Sequence, residues 1–538
     1  MGYDEGESMG TKAASCAFMS RLDVLTTAIY PHELPHEPQD TDDDPIFSLG
    51  SWAAVFPVLT GIGRLTVHML RPYVAILLLV AAGLGIAPGY CAAAGASILA
   101  YLCLYDKRFG EAVLGHLPLL PPGVHCRRSS RADAIVSMVP ALQYPYYKGT
   151  PWIVGGDMAT IYPFLAFHLP SVGYVRRWLT VDADDTLKNG GNHDFSRGKG
   201  VVADNFQNGF GYGSDGNNGF DASYEDGGGG GGDDDDSDGN GGAAEEAVAL
   251  DVALPEAGLD PKKPFYIVLH GLNGGSAEPY VLDFTSHALK RGCGVCVMIT
   301  RGCMGTPVRG ESIFHGARIS DVRSTVQALR KSLPAETPLT MVGYSMGAIV
   351  GANYCSISGD DSGIACCVSM SGSFDTRTNM VSQHSLRLWQ PMLAMSLKEN
   401  FVKTNVRKIA ARGVDLSKIE SCKNVLEFDI HMVAPYNGYQ SVVDYYIDMS
   451  AAAEGKIAGL KTPLLAVSAL DDPIMTATGA PIDDLEKIGD LFILLTRNGG
   501  HVGWPTGWLP TRNRWSWMSS TSLDFCEAVV ATAFMKDD

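Results

Sequence analysis

The chain has 538 residues, 46% of them hydrophobic, enough to bury the core of one large domain or several. Its formal charge of −18 is unevenly placed: residues 1–50 carry a net −8, residues 182–246 a net −13, and the rest a net +3. The folded part is therefore close to neutral, which excludes a basic nucleic-acid-binding surface, so no nucleic-acid partner is expected.

At the N-terminus, Met1-Gly2-Tyr3-Asp4-Glu5-Gly6 is acidic and has neither Ser nor Thr at position 6. That speaks against a cleaved signal peptide and against myristoylation. Residues 1–50 combine a Pro-rich stretch with Asp42-Asp43-Asp44 and are predicted as a disordered acidic tail. Residues 51–110 read as a membrane-anchor region. No charged residue occurs from Pro72 to Tyr105, a run longer than the roughly 20 residues a helix needs to cross a bilayer. One tilted span is predicted over 73–105, with a hairpin of two short segments as the variant that Pro88-Gly89 would allow. Lys107, Arg108, Arg127, Arg128 and Arg131 follow it and would place the C-terminal side in the cytosol.

Residues 111–185 are assigned to the first part of the folded domain, and residues 186–246 to a disordered insertion rich in Gly, Asn and Asp. Within it, Asp234, Asp236, Asp238, Gly239 and Glu245 satisfy the spacing of a calcium-binding EF-hand loop. Such a loop needs a helix on either side, and here six glycines precede it, so no calcium site is expected. The cysteines are scattered. Cys293 and Cys296 have no second pair at zinc spacing, so reduced thiols are expected, with no metal and no cofactor.

From residue 247 to 538 strand and helix signals alternate, the mark of a mostly parallel α/β sheet. Strands are predicted at Pro264–His270, Gly294–Thr300, Pro338–Val342, Ile364–Met370, Pro463–Ala469 and Leu491–Thr496, with helices at Tyr280–Lys290, Arg318–Leu333 and Ser520–Met535. Residues 376–460 are helix-rich and read as a cap inserted between late strands, where it would shape a pocket.

The chemistry-bearing motif is Gly343-Tyr344-Ser345-Met346-Gly347, which closes an apolar strand and opens a helix of small residues. A sharp strand-to-helix turn of this kind exposes its serine and needs glycine two residues either side. A serine hydroxyl also needs an imidazole to take its proton and a carboxylate to orient that imidazole. Both lie beyond later strands: Asp471-Asp472-Pro473 after Ala469, and His501 after Thr496. Ser345 is assigned as nucleophile, His501 as base and Asp472 as acid, with Asp471 as the alternative acid. The backbone N–H groups of Met346 and Leu272 are the expected oxyanion donors. His270, directly after a buried strand, is read as a residue that holds the loop.

The motifs together resemble the AB-hydrolase superfamily, and within it the YheT-type hydrolases, yeast medium-chain esterases and membrane-anchored lipid hydrolases. The resemblance rests on His270-Gly271-Leu272-Asn273-Gly274-Gly275-Ser276, Tyr280-Val281, Thr300-Arg301-Gly302-Cys303, Asp321, Phe428-Asp429, Ala434-Pro435, Gly438-Tyr439 and Asp444-Tyr445-Tyr446, with Thr160-Ile161-Tyr162-Pro163 upstream. It implies an α/β-hydrolase fold with a helical cap and a lipid ester substrate of acylglycerol or phospholipid type. Thr300 stands where relatives often have Asn, and the acidic insertion replaces a short hairpin. An acyltransferase would use the same triad with an alcohol in place of water, although no His-x-x-x-x-Asp motif occurs. A lipid-sensing protein without catalysis is the third reading, and the complete triad argues against it.

Overall fold

In the computed structural model, residues 5–26, 52–86, 88–105, 120–165, 169–181, 246–308, 312–379, 382 and 384–535 are described. The apolar runs become a nine-stranded sheet: β1 (Gly123–Cys126), β2 (Val175–Val181), β3 (Glu246–Ala253), β4 (Phe265–Leu269), β5 (Gly294–Ile299), β6 (Leu339–Tyr344), β7 (Cys366–Met370), β8 (Leu464–Ala469) and β9 (Leu491–Thr496). The order across the sheet is β1-β9-β8-β7-β6-β4-β5-β3-β2. The strands from β9 to β5 run parallel, while β1 on β9 and β3 on β5 and β2 are antiparallel.

Alternate residues of β4 point to opposite faces, as pleating requires. Phe265, Ile267 and Leu269 join one core, and Tyr266 and Val268 the other. Helices cover both faces, which suits strands that are apolar on both sides. In chain order the helices include α1 (Glu5–Leu25), α2 (Trp52–Gly83), α3 (Pro88–Tyr105), α4 (Ser130–Met138), α5 (Gly156–Ile161), α6 (Pro279–Lys290), α7 (Ser320–Ser332), α8 (Met346–Ser358), α9 (Gln390–Leu397), α10 (Lys403–Ala411), α11 (Val442–Met449) and α12 (Ser516–Ala531). Helices α1, α7 and α8 pack on the first face, and α4, α6 and α12 on the second. Between β7 and β8 every described element is helical, and Phe401, Phe428, Met432, Tyr445 and Tyr446 build a third core beneath this cap.

Three expectations need correction. The tail predicted as disordered contains α1, whose Phe18 and Leu22, one turn apart, are buried against the sheet. The Phe18 ring lies 5.2 Å from that of Phe265, and the Ser15 hydroxyl accepts from Leu259 N–H at 2.6 Å. The acidic residues that dominated the composition lie further along, outside the described residues.

The single membrane span is not found: among the described residues no helix is long and apolar enough to cross a membrane. The charge-free run is instead split between the end of α2 and all of α3, because Gly85 turns the chain at φ +79° ahead of Pro88. Gly95 lets α3 lie close on α2, since a Cβ there would stand 3.1 Å from the Ala75 carbonyl oxygen. Among the described residues the charge rule therefore has no span to orient.

Residues 111–185, assigned to the first part of the folded domain, contribute β1, which adds a strand beyond β9, and β2, which pairs with β3. Finally, Glu246 is not the last insertion residue but the first of β3, opposite Val181 of β2. The calcium-loop pattern and the remainder of the 186–246 segment lie outside the described residues.

Candidate active site

Strand β6 ends at Tyr344 and α8 begins at Met346, leaving Ser345 alone in the turn at φ 53°, ψ −116°. A serine at positive φ costs about 1–3 kcal/mol and persists only where its surroundings hold it. Here its N–H is held by the Met370 carbonyl at 2.9 Å. A Cβ on Gly343 would fall on the Gly347 carbonyl, and one on Gly347 would fall on the Leu269 carbonyl at the end of β4. Both glycines are thus required by backbone approach, which gives the motif its spacing.

His501 lies in the loop after β9. Its Nε2 is 2.8 Å from Ser345 Oγ and its Nδ1 2.9 Å from Asp472 Oδ2. In the neutral ring, Nδ1–H donates to the carboxylate and Nε2 is left to accept from the serine. The other oxygen of Asp472 accepts from the N–H groups of Ile474 and Met475, each at 2.8 Å. Asp472 is buried, fixed at both oxygens and aimed at the ring. Asp471 has a different place, accepting the Gly500 N–H at 2.9 Å.

The histidine loop is held by contacts that no spacing rule announces. His501 N–H donates to the Thr160 hydroxyl at 2.7 Å, which itself donates to Gly156 carbonyl within α5. Val502 N–H donates to the Ser371 hydroxyl at 2.9 Å. Gly500 takes φ +66°, and a Cβ there would press on Gly156 O and Thr160. Thr160 was visible only as part of a resembling segment, and Ser371 by no signal at all.

Leu272 follows β4, and both it and Met346 border the same cavity as Ser345 and His501. Met346 is the first residue of α8, so its N–H has no acceptor within the helix. His270 is buried. Its Nε2 accepts the Thr300 N–H at 3.2 Å, so Nδ1 carries the proton and donates to the Gly271 carbonyl at 2.7 Å. Burial pushes the ring down to about 4, partly opposed by that backbone bond, so it stays neutral. It ties the Gly271 loop to the end of β5. Arg301, also buried, forks onto Asp321 at 2.5 and 3.0 Å and reaches Glu246 at 3.1 Å. That network joins β5, α7 and β3 away from Ser345 and is structural.

The cavity measures about 290 Å³ and lies between the sheet and the cap. Its wall is mostly apolar, with Phe164, Phe314, Leu393, Leu426 and Met475 among the contributors. Two carboxyl groups break that pattern. Asp429, from the cap, accepts from the Tyr446 hydroxyl at 2.7 Å. Burial pushes its pKa up to about 7 against the lowering by that bond. Glu278, before α6, is also raised by burial. Periodicity could not place either side chain in the cavity.

The family model for the alpha/beta hydrolase fold matches residues 266–413, a stretch that includes Ser345 and stops before Asp472 and His501. Among curated proteins, the chain is 31% identical over 258 residues to a monoacylglycerol lipase of Saccharomyces cerevisiae, covering 46% of this chain and 57% of that one. It is 29% identical to the putative esterase YheT of Escherichia coli, covering 47% and 74%. It is 24% identical to the phospholipase ABHD3 of Homo sapiens, covering 50% and 64%. The matches thus span little more than half of the yeast relative and about half of this chain. The sheet order and the strained serine turn are those of the α/β-hydrolase fold, which is also the fold of the family model matched over residues 266–413.

Proposed function

We propose that the protein is a serine hydrolase that cleaves carboxylic esters of lipids through an acyl-enzyme on Ser345. The observation that carries this reading is the continuous chain from Ser345 Oγ through His501 to Asp472, with bonds of 2.8 and 2.9 Å. Ser345 Oγ attacks the ester carbonyl carbon as its proton passes to His501 Nε2, and Asp472 steadies the imidazolium. The N–H groups of Met346 and Leu272 receive the oxyanion. Collapse of the tetrahedral species releases the alcohol, which takes the proton from His501. Water then repeats the sequence to free the acid. The apolar wall suits an acyl chain, and the names of the relatives, a lipase, an esterase and a phospholipase, agree with ester chemistry. A fluorophosphonate probe should label the wild type and not Ser345→Ala, and the variant should lose about 10⁴- to 10⁶-fold in ester turnover. Equal labelling of the two would remove the assignment.

Association with a lipid surface through the α2–α3 hairpin accompanies this reading. Leu77, Leu84 and Ile86 are 67%, 73% and 60% exposed, and apolar side chains grouped in this way favour an interface over water. The Tyr73 hydroxyl of α2 donates to the Trp152 carbonyl at 3.1 Å, which fastens the hairpin to the domain. Replacing Leu77, Leu84 and Ile86 together with Glu should reduce co-flotation with phosphatidylcholine vesicles at least tenfold and leave hydrolysis of a water-soluble ester within twofold. Unchanged flotation would refute the role of the hairpin.

A further inference from the structure

We infer that Asp429 and Tyr446 form a specificity station for an uncharged, hydroxyl-bearing alcohol portion of the substrate, and that the cavity selects against esters carrying phosphate. This rests on the serine hydrolase reading and refines it to a substrate class.

The first ground is charge. Among the described residues bordering the cavity there is no Lys and no Arg, and the ionisable groups besides the tyrosines are Glu278, Asp429 and His501. A phosphate drawn in beside Ser345 would leave water without meeting a cation and would face two carboxyl groups. Desolvating an anion without a partner is among the costliest events in a protein interior.

The second ground is hydrogen bonding. Asp429 begins a single π-type turn, Asp429–Val433, inserted in the cap, and such turns re-aim a side chain within a helix. Among the described residues only one of its carboxyl oxygens is engaged, by the Tyr446 hydroxyl at 2.7 Å, and the group is 7% exposed while bordering the cavity. A carboxyl group in that position can accept from, or when protonated donate to, a hydroxyl. Close by in sequence to the cavity-lining Trp389, the Oε1 atom of Gln390 is buried with no hydrogen-bond partner among the described residues, and Gln390 borders the cavity as well. Buried polar atoms of this kind are normally satisfied. A substrate with hydroxyl groups would satisfy them, and a hydrocarbon would not.

The third ground is the division of the wall. Phe164, Phe314, Leu393 and Leu426 offer a hydrocarbon surface. An acyl chain gains by occupying that surface, which leaves the polar positions to the alcohol side of the ester.

The test compares three soluble probes that share one acyl chain: monohexanoylglycerol, its dimethyl ether, and monohexanoylglycerol phosphate. For the wild type, kcat/KM should be highest for the free glyceryl ester, at least tenfold lower for the ether and at least a hundredfold lower for the phosphate. In Asp429→Leu the ratio of glyceryl ester to ether should fall at least tenfold, mainly through KM. In Asp429→Asn, which keeps the shape and hydrogen-bonding capacity, that ratio should stay within threefold of the wild type while phosphate rejection relaxes. A wild type that hydrolyses the phosphate as readily as the glyceryl ester overturns the inference. So does an Asp429→Leu variant that loses both neutral esters in equal proportion, since a merely structural role would act that way. Should Asp429→Leu not fold, an Asp429→Asn variant with unchanged phosphate rejection is likewise contrary. Failure of all three probes together with absence of fluorophosphonate labelling would instead count against the serine hydrolase reading itself.

Discussion

Asp472→Asn is expected to lower kcat for ester hydrolysis about 10⁴-fold, the scale seen when the orienting carboxylate of a serine triad loses its charge and forces the wrong tautomer. The neighbouring change, Asp471→Asn, should cost no more than about 10²-fold, the scale of a small misplacement of a catalytic group. The contrast follows from geometry. Asp472 Oδ2 stands 2.9 Å from His501 Nδ1, and an amide there can present its NH₂ to the ring and force the proton onto Nε2. His501 could then no longer accept from Ser345. Asp471 touches the same loop one residue earlier, at the Gly500 N–H, so its amide variant keeps an acceptor for that donor. Measuring kcat for both purified variants, with circular dichroism to confirm folding, decides the matter. Equal losses, or a larger one for Asp471→Asn, would reverse the assignment.

Gly347→Ala should destabilise the protein by about 3 kcal/mol, at the upper end for overpacking a tight interior, and should lower turnover more than 10²-fold. The added methyl group would collide with the Leu269 carbonyl, which is main chain at the end of a central strand and cannot rotate away. The collision can be relieved only by lifting α8 from the sheet, and that moves Ser345 off His501 Nε2 and Met346 out of the oxyanion position. A control at Gly173, where an added Cβ meets nothing within 4 Å, should stay within about 0.5 kcal/mol. Urea denaturation of the two variants gives the comparison. A Gly347→Ala protein as stable as the control would show that the turn is looser than its geometry implies.

What could be read from the sequence follows from where each signal resides. Strands β4 to β9 are continuous apolar runs, because strands covered on both faces have no polar side to display. They are legible for that reason, and Ser345, Asp472 and His501 are legible through their positions at strand ends. Strand β2 contains Arg176 and Arg177, and its partner β3 lies beyond residues 182–245, so nothing local announces the pairing. Arg176 is accommodated because it forks onto Asp251 of β3 at 2.7 and 2.8 Å, a contact that exists only once the two strands meet. Helix α1 was obscured by the acidic composition of the segment around it, although two apolar residues a turn apart are enough to dock it. The long apolar run misled in the other direction: its length suggested one span, and a glycine turn ahead of Pro88 divides it. Thr160, Ser371 and Asp429 act through contacts that join distant parts of the chain, and no spacing rule reaches them.

The bond from His501 N–H to Thr160 carries a consequence for what counts as the working unit. A fragment beginning at β3 would contain Ser345, Asp472 and His501, and it would include the whole stretch matched by the family model. It would lack α5, hence the hydroxyl on which the histidine loop hangs and the Gly156 backbone against which Gly500 turns. On the proposed reading the site is therefore discontinuous in the chain: Ser345, Asp472 and His501 follow the insertion, and part of what aligns them precedes it.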